Sequence, residues 1–360
     1  MRILYAIQGT GNGHITVARE VLPLLQKRGE VDILLSGTQV DIDLPHPIKY
    51  RLQGLSFIFG KKGGIDYVET YKKSNLKRLF KEIKNLPVAD YDIVISDFEP
   101  VSAWACQLNH KQCIGFSHQI GVLNKHSPKP KQKDLVGKAV LKYYAPSSIQ
   151  YGFHYLPYGK NVYTPIIRNE IRTLSPQDLG HYTVYLPAYS DKRIIKMLSH
   201  FNDIKWQVFS KHSKEEYLVD NISFSPIHNE AFIRSLVTST GVLCNAGFQT
   251  PAEALFLQKK LMVIPMKGQY EQHCNAAALK MLGVPVIKNL KNKQHKHLKK
   301  WVNNDQRVNL DFPNETEWIL SEMIDNYTNN EEARSLSEPA LSSFSRFRSL
   351  LLKKIFYQGG

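Results

Sequence analysis

The segment Gly9-Thr10-Gly11-Asn12-Gly13-His14 follows a short apolar run, Arg2 to Ile7, and sets a histidine beside a turn rich in glycine. Glycine lets a backbone approach a ligand closely, and amides opening the next helix favour an anion. Imidazole, with an ordinary pKa near neutrality, is suited to taking the proton of an attacking hydroxyl. A dinucleotide fingerprint would need a small residue at position 14 and an acid closing the second strand. His14 and Ser36 stand there instead, so a nicotinamide site is excluded. Asp97 ends the run Asp92 to Ser96, and at the carboxyl end of a strand it can fix the imidazole tautomer and stabilise the imidazolium. The same aspartate can instead cap a helix after Pro100. His14 and Asp97 are the candidate catalytic pair, with Glu99 and His118 weaker candidates at similar strand ends.

A second constellation runs through Gly241 to Glu253, Leu261 to Pro265 and Gly268 to Ala276, a pattern of strand, turn, helix, strand, polar turn and helix. Thr250, followed by Pro251 and three residues on by Glu253, has the spacing of a capping box, so the helix is expected to start at this threonine. Its amides would stabilise a diphosphate leaving group without a metal ion. Glu253 serves either as the capping acid or as an acceptor for a ribose diol. Gln269, Glu271, Gln272 and Asn275 cluster at the next junction and suit directional contacts to sugar hydroxyls.

The elements that must hold these residues alternate along the chain. Strands are expected at 2–7, 31–35, 92–96 and 113–116, with a helix from about 14 to 28 whose Val17, Ala18, Val21, Leu22 and Leu25 share one face and whose end Gly29 would cap. The alternation restarts at Thr183–Leu186, Trp206–Phe209, Gly241–Cys244, Leu261–Ile264 and Val284–Ile287. The fold class is therefore α/β, with two doubly wound parallel-sheet domains facing each other across a cleft. Boundaries fall at 1–168 for the first domain, 169–180 for the linker and 181–330 for the second domain. Phe344, Phe347, Leu350, Leu351 and Ile355 give residues 331–360 an amphipathic helix.

Composition narrows the partners. The formal charge of +15, from 47 basic and 32 acidic residues, favours anionic ligands such as nucleotide phosphates or an anionic membrane face. Lysines concentrate in Lys125 to Lys142, where Val136, Val140 and Leu141 suggest a peripheral membrane face, and in Lys288 to Lys300, which lacks the interleaved aromatics of a nucleic-acid surface. Either run also suits a solvated surface. No apolar run approaches the ~20 residues of a membrane span and the N-terminus opens on a strand, so a cytoplasmic protein is expected. Cys106, Cys113, Cys244 and Cys274 have neither zinc-site nor disulfide-framework spacing.

Taken together, Gly-Thr-Gly-Asn-Gly-His, Asn-Ala-Gly-Phe-Gln-Thr-Pro-Ala-Glu and Glu-Gln-His-Cys-Asn-Ala resemble the nucleotide-sugar glycosyltransferases with two Rossmann-like domains. The likeness lies nearest the peptidoglycan N-acetylglucosaminyltransferase and UDP-glycosyltransferase group. It implies a UDP-sugar as substrate, no cofactor and no metal, an inverted product, and a C-terminal helix crossing back to the first domain. It further implies that His14 acts near the acceptor with Gly11, Gly13 and His118, that Asn245, Gly247 and Thr250 lie by the phosphates, that Glu253 meets the ribose, and that Glu271 and Gln272 meet the sugar. The peptidoglycan enzymes carry a second glycine-rich turn where this chain has Leu186 to Asp191, leaving Ser190 as the phosphate contact. The loops Phe57 to Ser74 and Ser117 to Lys138 match no pattern of that group, so a lipid-linked, glycan or small-molecule acceptor stays open. Two rivals remain: a hydrolysing nucleotide-sugar 2-epimerase, and a non-catalytic binder of nucleotide-sugars or polyanions.

Overall fold

A computed structural model of the protein describes residues 1–37, 44–55, 59–60, 64–65 and 75–329. The first sheet is seven-stranded and parallel, in the order β3-β2-β1-β6-β7-β8-β9. Its strands are β1 (Arg2–Gln8), β2 (Glu30–Ser36), β3 (Tyr50–Leu52), β6 (Ile93–Asp97), β7 (Ile114–Ser117), β8 (Ile149–Phe153) and β9 (Val162–Tyr163), while β4 (Phe59–Gly60) and β5 (Gly64–Ile65) pair separately. β1 is apolar almost throughout because both its faces are covered. Ile3, Tyr5 and Ile7 pack into one core layer, and Leu4 and Ala6 into the layer behind.

The second sheet has six strands in the order β12-β13-β11-β10-β14-β15. These are β10 (His181–Tyr185), β11 (Lys205–Ser210), β12 (Tyr217–Val219), β13 (Ile222–Pro226), β14 (Gly241–Asn245) and β15 (Lys260–Ile264), with β12 an antiparallel edge. In each sheet the chain winds outward from one strand and returns on its other side. The switch points fall between β1 and β6, where Ile7 pairs with Asp97, and between β10 and β14, where Tyr185 pairs with Cys244. Crevices at such points are where doubly wound sheets bind ligands.

Several local expectations are corrected. The first helix spans Asn12–Gln26, and Lys27, not Gly29, ends it. A Cβ on Gly29 would lie 2.2 Å from the Met1 carbonyl oxygen, so this glycine serves close chain approach. Val284–Ile287 is no strand and contributes only the bridge Val263 to Val286, because Pro285 has no N–H to extend a ladder. The helix expected to start at Thr250 spans Gln249–Phe256 with Phe248 in the cap position and no side-chain cap bond, so no capping box forms.

The crossing back to the first domain is made by the helix Thr316–Asn329, whose Ile319, Leu320, Met323, Ile324 and Tyr327 enter the core beside Ile15, Ala18 and Leu22. The Lys27–Glu317 pair on its rim, with side chains 61% and 68% exposed, contributes at most about 1 kcal/mol. Each buried apolar side chain contributes about 1.5–3 kcal/mol, so burial decides the docking. The amphipathic segment of 331–360 and most of the Phe57 to Ser74 loop lie outside the described residues.

The Lys125 to Lys142 run contains the helix Leu135–Tyr144, but Val140 is buried, and Val136 and Leu141 pack against core clusters. These three therefore form no membrane-facing set. Lys129 donates to the carbonyls of Val122, Asn124 and Ser127 at 2.6, 2.8 and 2.9 Å, closing the helix His118–Leu123. Among the described residues no helix is long and apolar enough to cross a membrane.

Candidate active site

At the first switch point, the turn after β1 starts the helix Asn12–Gln26 and Asp97 ends β6, so strand adjacency brings His14 and Asp97 together. His14 Nδ1 lies 2.8 Å from Asp97 Oδ1, with side chains 18% and 3% exposed. Burial lowers the imidazole pKa, but the charge and hydrogen bond of Asp97 outweigh it and hold the net value above the ordinary one. Asp97 is free for this role because Glu99 caps the helix Pro100–Leu108, accepting from Val101 N and Ser102 N. Burial raises the pKa of Glu99, and hydrogen bonds to its carboxylate oppose the shift. Between the two acids, Phe98 takes a left-handed φ of 54° and stacks on Tyr144 at 4.8 Å. A non-glycine residue there stores about 1–3 kcal/mol of strain, typical of functional turns.

His14, Gly11, Gly13, Asp97, His118 and Gln119 line a cavity of about 250 Å³ whose opposite wall is Phe248, Gln249, Gln269 and Glu271 from the second domain. Gln119 Nε2 lies 3.5 Å from His14 Nε2 and donates to Glu271 Oε2 at 3.1 Å. His118 Nδ1 meets the Phe153 carbonyl and Nε2 meets Asn275 Oδ1, both at 2.9 Å, while the ring stacks on Phe248 at 3.6 Å. Burial lowers the His118 pKa against the opposing pull of Glu271 and both oxygens. His118 and Asn275, placed on opposite sides of the cleft by sequence reasoning, thus touch each other.

A larger cavity of about 670 Å³ adjoins the first, sharing Thr10, Gly11, Gly13, Phe248, Gln249 and Gln269. Ser190, Asn245, Gly247, Thr250, Glu253 and Gln272 all line it. The geometry collects these six residues around the second switch point. Gln272 Oε1 accepts from Met266 N at 2.9 Å. Beside Ser190, Asp191 accepts from Ser210, Ser213 and Tyr217, which ties the turn to the neighbouring loop.

Glu253 is almost wholly buried and bound two-pronged by Arg168, Nε to Oε1 and Nη2 to Oε2, both 2.7 Å. Arg168 also reaches Glu170 and Asn229, and Gln249 donates to Glu253 Oε1. Sequence reasoning placed Arg168 at a domain boundary and overlooked it, along with Gln119, Gln249 and Phe248. For Phe248 and Gln249 the available signal was their place directly after Gly247, and for Gln119 its place just beyond the end of β7. Among the described residues, five buried acceptor oxygens of cavity-lining side chains find no partner: Asp97 Oδ2, Gln119 Oε1, Asn245 Oδ1, Gln249 Oε1 and Gln269 Oε1. Leaving such groups unpaired costs about 1–3 kcal/mol each, so the cleft is built for a ligand rich in hydroxyl or N–H donors. No group of three or more metal-ligating side chains occurs among the described residues.

The sequence model described as glycosyl transferase family 1 matches residues 1–304. Among curated proteins, none matches in sequence. Of solved structures, Arabidopsis thaliana UGT89C1 complexed with quercetin superposes with a TM-score of 0.56 at 12% identity, covering 98% of each chain. The same protein complexed with UDP gives 0.53 at 11% identity, covering 98% of this chain and 99% of that one. Acinetobacter baumannii MurG gives 0.54 at 12% identity, with 91% of this chain and 99% of that one covered. At such identities the likeness shows the fold: two facing Rossmann-like domains.

Proposed function

This chain belongs to glycosyl transferase family 1, and from that premise we propose that it moves a hexosyl or N-acetylhexosaminyl group from a UDP-sugar to an acceptor hydroxyl, with inversion and with His14 as base. The observation that carries the proposal is the His14–Asp97 pair, set in one cavity with Gln249, Gln269 and Glu271 of the other domain. Nδ1 is held by Asp97, which leaves Nε2 as the atom that accepts a proton. The acceptor oxygen attacks the anomeric carbon from the first-domain side as the bond from that carbon to the phosphate oxygen breaks. The hydroxyl proton passes to His14 Nε2, and UDP leaves with the bonding pair. Displacement from one face in a single step inverts the centre.

On the other wall, the amides opening the helix Gln249–Phe256 stabilise the departing diphosphate without a metal ion. Gln269 and Glu271 receive the sugar hydroxyls, and the solved UGT89C1 complex with UDP supports the choice of nucleotide. The test is binding of UDP-sugars by calorimetry, followed by product analysis with a panel of acceptors. Tight binding of UDP, transfer that persists with excess chelator and an inverted anomer are the expected results. Release of free sugar epimer with no acceptor present would instead indicate the hydrolysing epimerase.

A further inference from the structure

The cavity that holds His14 adjoins a further space of about 490 Å³ lined wholly by first-domain residues, and Phe98, Ser117, Gln119 and Leu141 are walls of both. Gln119, the residue whose amide lies 3.5 Å from His14 Nε2, therefore stands where the two spaces meet. No wall residue is shared with the 670 Å³ cavity at the second switch point. Whatever occupies this inner space belongs to the acceptor side of the reaction.

Its charge is one-sided. Lys138 and Lys142, one turn apart on the helix Leu135–Tyr144, converge on it with Lys160 from the turn before β9, and no Asp or Glu lines it among the described residues. None of the three lysines is ion-paired among the described residues. Like charges at this helical spacing repel, and three ammonium groups around one cavity raise a positive potential that focuses on an anion. Their number suits a group carrying about two negative charges, as a phosphate does, better than a single carboxylate.

We propose that the acceptor carries a phosphate group, which Lys138, Lys142 and Lys160 hold in this cavity while the acceptor hydroxyl reaches past Gln119 to His14. The proposal rests on the reading of the chain as a UDP-sugar transferase with its acceptor in the first domain. Lipid phosphates and soluble sugar phosphates share the required chemistry.

The experiment uses the full chain saturated with UDP, so that the donor side is filled, and titrates it with inorganic pyrophosphate by calorimetry. A variant carrying Lys138→Gln, Lys142→Gln and Lys160→Gln is compared with wild type and with the corresponding triple Arg variant. All three lysines are exposed, so unchanged melting temperatures are expected. Wild type should bind the probe, the Gln variant at least about tenfold more weakly, and the Arg variant within about threefold of wild type. UDP affinity should be the same in all three. Absence of pyrophosphate binding by the UDP-loaded wild type, or equal binding by the Gln variant, overturns the proposal. Failure of UDP to bind any of the proteins would remove the donor assignment, and the comparison between Lys and Gln would still decide the phosphate site. Repeating the titration with glucose 6-phosphate and with dodecyl phosphate shows which source gains more from the lysines.

Discussion

Asp97 and Glu99 stand two residues apart at the end of β6 and do different work because their surroundings differ. Glu99 spends both oxygens on the backbone amides of Val101 and Ser102, whereas Asp97 keeps one oxygen for His14. His14→Ala should lower turnover by about two to four orders of magnitude while leaving UDP affinity intact, as steady-state rates and calorimetry would report. The His14 pKa lies above its ordinary value because of Asp97, and the base must be unprotonated to act. The acid limb of kcat/KM is therefore expected above the ordinary histidine value, and Asp97→Asn should move it to lower pH. The linked stability has the opposite dependence: it is fully present below the unfolded histidine pKa and is lost as pH rises through the raised folded value. Melting temperatures of wild type and Asp97→Asn should thus differ more at about pH 5.5 than at about pH 9. An unmoved acid limb would remove Asp97 from the mechanism. At the other switch point, Glu253→Ala removes the two-pronged partner of Arg168 and leaves it with Glu170 and Asn229, which should destabilise the fold by about 1–3 kcal/mol in urea unfolding.

Elements carry these residues only where backbone and packing allow. A Cβ on Gly137 would fall 2.7 Å from Tyr270 Cβ and 2.4 Å from Asp134 Oδ2, so the helix Leu135–Tyr144 touches the second domain through this glycine. Gly137→Val should cost about 1–3 kcal/mol by overpacking and should lower transfer by prising the cleft apart; full activity would show that the helix contact is dispensable. The parallel strands nearest both switch points were legible because burial on two faces writes an uninterrupted apolar run, and the carboxyl ends of those runs placed His14, Asp97 and Asn245. Other elements left too little signal. β3, β9 and β12 have only two or three residues, too few for a period. The capping box at Thr250 failed for a tertiary reason: the Glu253 carboxylate that would close it is taken by Arg168 and Gln249, and Phe248 holds the cap position. Arg168 could not be paired with Glu253 from sequence because 85 residues separate them.

Across the whole molecule, the cleft is bridged largely by the residues that would bind substrate, such as Gln119 to Glu271, His118 to Asn275 and Gln249 to the Ile166 carbonyl. Domain approach and ligand binding are therefore linked, and a ligand bound by both walls stabilises the closed arrangement by mass action. The net charge of +15 acts at longer range. On the proposed reading, a UDP-sugar would bring two negative charges to a basic protein, so encounter should be electrostatically steered. On the same reading, a docked nucleotide would be held by hydrogen bonds inside the cavity, where added salt screens little. The two stages should separate in stopped-flow binding of UDP across a series of salt concentrations. Association is expected to slow by roughly an order of magnitude between low and about 0.5 M salt, while dissociation changes by no more than about twofold. An association rate indifferent to salt would mean that the excess charge serves a surface remote from the cleft. A salt-sensitive dissociation rate would mean that the diphosphate is held by exposed lysines instead of the amides of the helix Gln249–Phe256.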